Sequence, residues 1–510
     1  MLVCLLSGLW ALASPLFSGP DEPAHVRRAA AISRGQLTGD DPQRDDLTDG
    51  YLEVSIPKIY GDARIACFAF YRDLPASCQS FDGSSDNGPV LTLAARHPPF
   101  YYAMAGIVSR PYPPGSGSVY LMRLVSVALT GALVASVVVA LRKTAAPRLA
   151  AAGILLAITP MVLFVSGTVN PSALEIASAI ALWTGGLVLV ARAPDRVDPR
   201  LVALVGVAAS LLALSRQLGP LWLALIVVAL LVVGGKASIV ALLRSRVAQI
   251  WAAVVATCTV AQVLWIAIVK PLDTSLTGTE LDLSGSEVFR RTFGTSFGRY
   301  RELIGGFGWL DTPAPSATIL LWTLALGALL LIAATFGPRR NALVLLVLLL
   351  AIVAVPVALE YQAFNDAGGF FWQGRYTLPL AVGVPILAAF SITRIPETPR
   401  LVRGPLLPTL GAMVVVAHVL AFAQNLRRYT VGYNGPVWYW SHEDWHPPLP
   451  SGLLTLAFGA AMLAFVTWLL IPDSEEPMHA STDRVSPTSV GVRPPHARTA
   501  PSATGSRAIR

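Results

Sequence analysis

Apolar segments about as long as a membrane is thick recur along nearly the whole chain, and they constrain its fold more than any other feature. About 20 apolar residues in a helix cross the roughly 30 Å hydrocarbon core of a bilayer. Only 13% of the 510 residues are charged, well below the share of about 25% in soluble domains. The sequence therefore predicts an all-α polytopic membrane protein with about 12 transmembrane helices. The predicted segments are 2–17, 119–141, 149–169, 173–191, 201–214, 221–233, 247–269, 317–336, 342–359, 377–392, 406–423 and 453–471.

The loops between these segments differ in charge. Short loops rich in lysine and arginine remain in the cytoplasm during membrane insertion. Both chain ends are therefore predicted to be cytoplasmic, in a multi-pass protein of the cell membrane. The same distribution accounts for the net charge of +8 without a nucleic-acid partner. The basic loops, which alternate along the chain, are 142–148, 192–200, 236–246, 339–340 and 394–403.

On this topology, residues 1–471 form one transmembrane domain with two large extracytoplasmic loops, 18–118 and 271–315. No cleavage pattern follows the first apolar segment, so it is predicted to be an anchor rather than a signal peptide. The tail, 472–510, is rich in serine, proline and arginine and is predicted to be a disordered cytoplasmic segment.

The first outer loop is predicted to carry interfacial helices at 23–34 and 97–108. The segment between them, 38–88, is rich in Asp, Gly and Ser and is predicted to be extended or irregular. It contains Cys67 and Cys78. We expect these cysteines to form a disulfide because the exterior is oxidising, and two free thiols are the alternative.

Asp21, Glu22 and His25 follow the first apolar segment and therefore lie at the predicted outer edge of the membrane. Ionisable groups at this depth are costly and usually have a function. The carboxylates are candidates for a general base that deprotonates an acceptor hydroxyl. The alternative is stabilisation of the positive N-terminus of the following helix. His25 could bind a carboxylate or phosphate, and the three residues could hold a divalent metal; a solvated surface histidine is the alternative.

Three arginines are predicted near the outer ends of apolar segments: Arg123, Arg216 and Arg375. An arginine at this depth is costly unless it is paired or solvated. A lipid phosphate would supply a partner that fits the guanidinium group. The alternatives are snorkelling or ion pairs with Glu175, Glu360 or Asp311. His97 precedes two prolines that would hold it rigidly at the outer surface, where it is either a site residue or a neighbour of the aromatic belt.

Six short motifs together resemble the bacterial family of predicted membrane proteins called domain of unknown function 2142. That family is grouped with the GT-C glycosyltransferases, polytopic enzymes that use polyprenyl-phosphate sugars. The motifs are P-D-E-P-A-H at 20–25, H-P-P-F-Y-Y at 97–102, T-P-M at 159–161, N-P at 170–171, G-W-L-D-T at 308–312 and Q-G-R-Y at 373–376.

The resemblance implies a GT-C-like fold in which a carboxylate of the first outer loop is the catalytic base. It would give that role to Asp21, with Glu22 and His25 in support. Asp311 and Tyr376 lie in two of the motifs and complete the predicted substrate-binding set.

The resulting hypothesis is a glycosyltransferase-like protein at the outer face of the membrane. It would transfer a sugar from a polyprenyl-phosphate donor to a glycan or glycolipid acceptor of the cell envelope, with or without a divalent metal. The alternatives are a transporter or flippase of lipid-linked envelope precursors and a non-catalytic membrane scaffold.

Overall fold

The computed structural model describes residues 1–42, 50–270, 283–367 and 370–470. These residues form helices almost throughout, with two small antiparallel strand pairs. The predicted tail, 472–510, lies outside the described residues. In chain order the elements are α1 (Leu2–Ala13), α2 (Glu22–Ile32), β1 (Leu52–Pro57), β2 (Asn87–Thr92), α3 (Pro99–Ser109), α4 (Ser116–Leu141), α5 (Pro147–Ala157), α6 (Pro160–Ser166), α7 (Pro171–Arg192), α8 (Pro199–Ser215), α9 (Gly219–Arg244), α10 (Arg246–Val269), α11 (Gly285–Gly294), α12 (Ser296–Gly305), β3 (Gly306–Phe307), β4 (Thr312–Pro313), α13 (Ser316–Phe336), α14 (Arg339–Ala367), α15 (Leu378–Ala381), α16 (Gly383–Ile392), α17 (Thr398–Arg403), α18 (Leu406–Val431) and α19 (Ser451–Leu470).

Each predicted apolar segment overlaps one of these helices, except that 149–169 overlaps α5 and α6 and 377–392 overlaps α15 and α16. In the described part of the chain, nine helices are long and apolar enough to cross a membrane, and the bent pair α5–α6 would make ten. The remaining two apolar helices, α1 and α8, have 12 and 17 residues. The helical, multi-pass class is therefore confirmed, while the count of about 12 spans and the orientation of the termini stay predictions.

The break between α5 and α6 has a local cause. The two helix axes differ by 69° at Thr159, which precedes Pro160. A residue before proline is disfavoured in the helical conformation, and proline itself favours the first turn of a new helix. Thr159 also caps that new helix, because its side chain accepts a hydrogen bond from the Val162 amide.

Helix α7 lies at the centre of the bundle and is buried along its whole apolar length. It packs against α4, α8 and α9, which supply the walls around it. Helix α10 is peripheral, and Gln262 is its single buried residue. The N-terminal end of α7 lies beside the long loop between α1 and α4, and this junction carries most of the candidate site residues.

The long loop between α1 and α4, predicted to be the first outer loop, contains a strand pair. Strands β1 and β2 pair from Leu52↔Thr92 to Pro57↔Asn87, so part of the segment predicted as extended or irregular is a regular extended strand. Helix α2 was predicted to lie on the membrane surface, but it is largely buried against α3. A Cβ atom on Gly106 would lie 2.1 Å from the Ala29 carbonyl oxygen, so the absence of a side chain there permits this close approach.

A disulfide joins Cys67 and Cys78 within this loop. The loop is also bound to the helical bundle by Arg428 of α18, whose side chain is fully buried. Its guanidinium group donates hydrogen bonds to three backbone carbonyl groups of the loop. The acceptors are the oxygen atoms of Phe68, Tyr71 and Leu74, at 2.6–3.0 Å.

Candidate functional site

The turn that carries Asp21 and Glu22 is held by contacts with the start of α7. Asn170 donates from its side chain to the Pro20 carbonyl oxygen at 3.1 Å, and its other side-chain atom caps α7 by accepting from the Ser172 amide. A Cβ atom on Gly19 would lie 2.8 Å from the Thr168 side chain. The glycine therefore lets the turn pack tightly against this segment.

Glu22 is fully buried and bound on both carboxylate oxygens. Oε1 accepts hydrogen bonds from Arg123 Nε at 2.8 Å and the Val169 amide at 2.9 Å. Oε2 accepts from Arg123 Nη2 at 2.7 Å and the Gly19 amide at 3.2 Å. A buried carboxylate that already accepts four hydrogen bonds has no access to a substrate hydroxyl. The geometry favours a structural role for Glu22, and its supporting catalytic role stays a prediction.

Arg123 is the structural partner of Glu22 rather than a free phosphate ligand. Its Nη1 atom donates to the carbonyl oxygens of Ala11 and Ser14, and its Nη2 atom also donates to that of Pro15, all within 2.8 Å. All three nitrogen atoms therefore already have acceptors within the chain. The ion pair joins α4 to Glu22 of α2, and the carbonyl contacts join α4 to the end of α1. This geometry favours the structural alternative, and phosphate binding by Arg123 stays a prediction.

Asp21, one residue away, has different surroundings. Its side chain is 44% exposed, and its Oδ2 atom lies 2.6 Å from Arg375 Nη2. Its backbone has φ 60° and ψ 10°, in the left-handed region that non-glycine residues rarely adopt. Such strain persists where surrounding contacts impose it, and it is frequent at functional sites. Asp21 is thus an accessible carboxylate held in one orientation by a buried cation.

Arg375 lies in a short turn, Gly374–Thr377, that packs on α12. The Gly374 amide donates to Glu302 Oε2 at 2.6 Å, and a Cβ atom on Gly374 would lie 2.4 Å from the Arg299 carbonyl oxygen. The Arg375 side chain is 2% exposed. Within the described residues, its Nε and Nη1 atoms are buried without a hydrogen-bond partner.

Tyr376 lies beside two guanidinium groups. The Cζ atoms of Arg216 and Arg375 are each 4.7 Å from the centre of its ring. Arg216 follows α8 and donates from Nη1 to Ser172 Oγ at 2.6 Å. The same atom lies 4.0 Å from the carboxylate of Glu175. Two predicted phosphate ligands, Arg216 and Arg375, therefore belong to one cluster, and Tyr376 joins them.

His25 and His97 meet at Tyr102, which the sequence analysis did not assign to the site. Their Nδ1 atoms lie 2.8 Å and 3.1 Å from the Tyr102 hydroxyl oxygen. A tyrosine hydroxyl has a single proton, so it can donate to one of the two histidines and must accept from the other. Arg28, also missed, fixes His97 by donating to its carbonyl oxygen at 2.7 Å. The spacing of His97 and Tyr102 across the start of α3 is the signal that could have indicated this group.

Both histidines favour the neutral form. Burial lowers the pKa of His25 well below its usual value, and the positive charges of Arg216 and Arg375 lower it further. Burial also lowers the pKa of His97, with the nearby His25 adding to the effect. Two neutral imidazoles beside two guanidinium groups provide hydrogen-bonding atoms without adding positive charge.

Asp311 lies outside this cluster. Its Oδ2 atom accepts a hydrogen bond from Arg428 Nη2 at 3.2 Å, and its Oδ1 atom accepts from Thr312 Oγ1 at 2.9 Å. Its carboxylate holds the G-W-L-D-T turn against α18, which favours a structural role, and substrate binding by Asp311 stays a prediction. Glu360, an alternative partner for the predicted arginines, instead forms an ion pair with Arg299.

The possible metal site is not assembled. Glu22 is bound to Arg123 and His25 is bound to Tyr102, so neither is directed at an ion shared with Asp21. In the described ranges, no group of three or more histidine, cysteine, aspartate and glutamate side chains is placed to hold a metal ion.

Comparison with known proteins identifies the family. The family model of predicted membrane proteins DUF2142 matches residues 4–384. The chain belongs to this family. The matched range includes the whole candidate cluster, from Asp21 to Tyr376, and the resemblance drawn from the motifs is thereby confirmed for the family.

Two further comparisons are less informative about activity. No curated protein matches the chain. One matching solved structure is the crystal structure of ArnT from Cupriavidus metallidurans bound to undecaprenyl phosphate, which is 12% identical. The match covers 91% of this chain and 76% of that chain, with a TM-score of 0.42. A likeness of this size does not establish a shared activity.

Proposed function

We propose that this protein transfers a sugar from a polyprenyl-phosphate donor to a cell-envelope acceptor at the outer face of the membrane. The observation that carries the proposal is the pairing of an exposed carboxylate, Asp21, with the buried Arg375. In this pair, the candidate base, Asp21, is in direct contact with the candidate phosphate ligand, Arg375.

The first step of the proposal is donor binding. Burying an N–H donor without an acceptor costs about 1–3 kcal/mol, more when the group is charged. Arg375 has two such nitrogen atoms within the described residues, Nε and Nη1. A phosphate group would provide acceptors for them. Arg216, whose guanidinium group also lies beside the Tyr376 ring, would add a second positive charge. The polyprenyl chain would lie along the apolar helices.

The second step is activation of the acceptor. The proton of the acceptor hydroxyl moves to Asp21 while its oxygen forms a bond to the anomeric carbon. The bond between that carbon and the phosphate oxygen breaks, and the phosphate leaves with the electron pair. Positive groups held beside the leaving phosphate stabilise the charge that develops on it. Glu22 and Arg123 take no part in this chemistry, but they hold the turn that presents Asp21.

The ion pair between Asp21 and Arg375 gives the proposal an order of events. While Asp21 Oδ2 accepts the hydrogen bond from Arg375, that oxygen atom is occupied and less available to the acceptor hydroxyl. Donor phosphate that binds Arg375 competes with Asp21 for its N–H groups. Donor binding would thus release Asp21 for the acceptor, and transfer would require the donor to bind first.

The test separates binding from transfer. Wild-type protein in nanodiscs is compared with Asp21→Asn, Arg375→Gln and Arg290→Gln. Arg290 is an exposed arginine of α11, so its substitution is a matched control for loss of charge. Binding is measured with undecaprenyl phosphate, and transfer is measured with a panel of polyprenyl-phosphate sugars and membrane extracts as acceptor.

We expect Asp21→Asn to bind undecaprenyl phosphate normally and to lose transfer by about 10²–10⁴-fold. Arg375→Gln should weaken binding by about tenfold or more, whereas Arg290→Gln should change neither measurement. Normal transfer by folded Asp21→Asn would refute its role as the base. Movement of lipid-linked precursors by wild-type proteoliposomes without sugar transfer would favour the flippase alternative.

A further inference from the structure

A second cluster of arginines lies at the other end of the molecule from Asp21. Helix α7 begins at the outer cluster, near Ser172, and ends at Arg192 after 22 residues, or roughly 33 Å. Around this far end, the described residues form an open cavity of about 180 Å³, and both arginines that line it, Arg340 and Arg394, are exposed. Its walls come from the ends of α7 and α16, the start of α14 and the middle of α9. This is the face on which the basic loops place the cytoplasm.

Two guanidinium groups line the cavity, those of Arg340 and Arg394. Neither forms an ion pair or a side-chain hydrogen bond with any residue in the described parts of the chain. They are close enough that the charge of Arg340, together with burial, lowers the pKa of Arg394. Two like charges without an acid between them attract an anion, because an anion relieves their repulsion as well as pairing with each.

A break in the backbone of α9 lies next to the guanidinium group of Arg340. Helix α9 is interrupted at Gly235, which has φ 73° and ψ −177°. A Cβ atom there would lie 2.5 Å from Arg340 Nη1, and the positive φ of Gly235 is one that glycine adopts without strain. On the opposite wall, the Cζ atom of Arg394 lies 4.7 Å from the centre of the Phe390 ring, a cation–π contact that orients this second guanidinium group.

The remaining walls indicate the kind of anion. Val190, Val233 and Phe390 make one side of the cavity apolar. Next to it, α9 exposes Val228 and Val232, whose exposed fractions are 59% and 45%. A phosphate in the cavity would therefore lie at the end of an apolar helix surface. A lipid satisfies both features, because its headgroup would occupy the cavity and its acyl chains would cover the valines.

We propose that this cavity binds the phosphate of an anionic lipid headgroup on the membrane face opposite the candidate transfer site. The proposal is independent of the transfer reaction, since it uses none of the residues of the outer cluster. It predicts a protein that contacts lipid phosphate at both membrane faces through separate pairs of arginines.

The test measures lipid binding by the full chain in detergent with native mass spectrometry. The probes are phosphatidylglycerol, phosphatidylcholine and inorganic phosphate. The variant Arg340→Gln/Arg394→Gln removes both cavity charges. The control Arg339→Gln/Arg400→Gln removes two exposed charges from the same face outside the cavity. Arg340→Lys/Arg394→Lys retains both charges without the guanidinium geometry and serves if the glutamine variant folds poorly.

We expect wild-type protein and the control to retain phosphatidylglycerol in preference to phosphatidylcholine. The glutamine variant should weaken phosphatidylglycerol binding by about tenfold or more, and the lysine variant should lie between them. Equal losses in the control, or none in folded cavity variants, would overturn the proposal. Displacement of the lipid by inorganic phosphate at equal affinity would assign the cavity to a soluble phosphate group and overturn the lipid assignment.

Discussion

Asp21 and Glu22 are adjacent in the chain, but their side chains differ in solvent exposure and in how completely their partners are hydrogen-bonded. The Glu22 region is dry and complete, because its carboxylate and the guanidinium group of Arg123 satisfy each other and the nearby backbone. The Asp21 region is open and incomplete, because its carboxylate is exposed and Arg375 has two unpartnered nitrogen atoms in the described structure. An ion pair whose hydrogen-bonding atoms all have partners stabilises the fold. An ion pair beside solvent that still has unpartnered donors can bind a ligand.

The sharpest test of this comparison removes one charge from each pair. Glu22→Gln leaves Arg123 buried without a counter-charge, and such a loss costs about 3–5 kcal/mol. Asp21→Asn also leaves Arg375 without its counter-charge, but Asp21 is 44% exposed, so solvent screens this site and the cost should be smaller, about 1–2 kcal/mol. The melting temperature and the yield of monodisperse protein report both changes. Equal destabilisation by the two substitutions would remove the distinction between the regions.

Substitution of Arg123 and of Arg375 by lysine should also differ in its effect on stability, by a smaller amount. Arg123→Lys cannot reproduce hydrogen bonds from three nitrogen atoms, so we expect it to destabilise the fold by about 2–3 kcal/mol. Arg375→Lys keeps a charge beside Asp21 and should leave the melting temperature nearly unchanged. It should instead weaken undecaprenyl phosphate binding by about tenfold. The comparison fails if Arg375→Lys unfolds the protein while Arg123→Lys is tolerated.

Lowering the pH should affect the Asp21 region through its histidines. The pKa of buried His25 is depressed in the folded protein, so the unfolded chain takes up the proton more readily. The contribution of His25 to stability is therefore constant above the unfolded value of about 6.5 and falls below it, by up to about 1.4 kcal/mol per pH unit. Unfolding curves between pH 5 and 8 measure this slope. It should become shallower in His25→Gln and stay unchanged in His442→Gln, which alters an exposed histidine.

The apolar segments could be predicted from the sequence because membrane insertion depends on local hydrophobicity and length. The burial of α2 could not, since it follows from contact with α3 rather than from its own pattern. The break at Thr159 lies inside one predicted span, 149–169, and the following proline is the sequence feature that could have indicated it.

The candidate site could be predicted in part. The sequence indicated Asp21, His25, His97 and the two arginines of the cluster, because polar groups beside a membrane are unusual. It did not indicate their partners, since Asp21 and Arg375 are separated by 354 residues. Nor could adjacent acids be told apart, because only the folded chain buries one and exposes the other. For the same reason the sequence did not show that the side chains of Glu22, Arg123 and Asp311 have partners within the chain.

The smallest expected effect concerns the backbone at Asp21. A side chain at φ 60° costs roughly 1–2 kcal/mol, and glycine avoids most of this cost. Asp21→Gly and Asp21→Ala both remove the carboxylate, so both should lack transfer. They should nevertheless differ in stability, with the glycine variant more stable by about 1 kcal/mol because it alone relieves the strain.

Ala24→Gly provides the control for this last comparison, because Ala24 lies within α2, the helix that Asp21 precedes. There, glycine should lower the free energy of unfolding by about 1 kcal/mol, the opposite sign to its effect at position 21. Thermal unfolding of the four proteins, including the wild type, measures both differences under one condition. If Asp21→Gly were instead less stable than Asp21→Ala, the left-handed backbone would not be a source of strain. The orientation of the carboxylate would then depend on Arg375 alone.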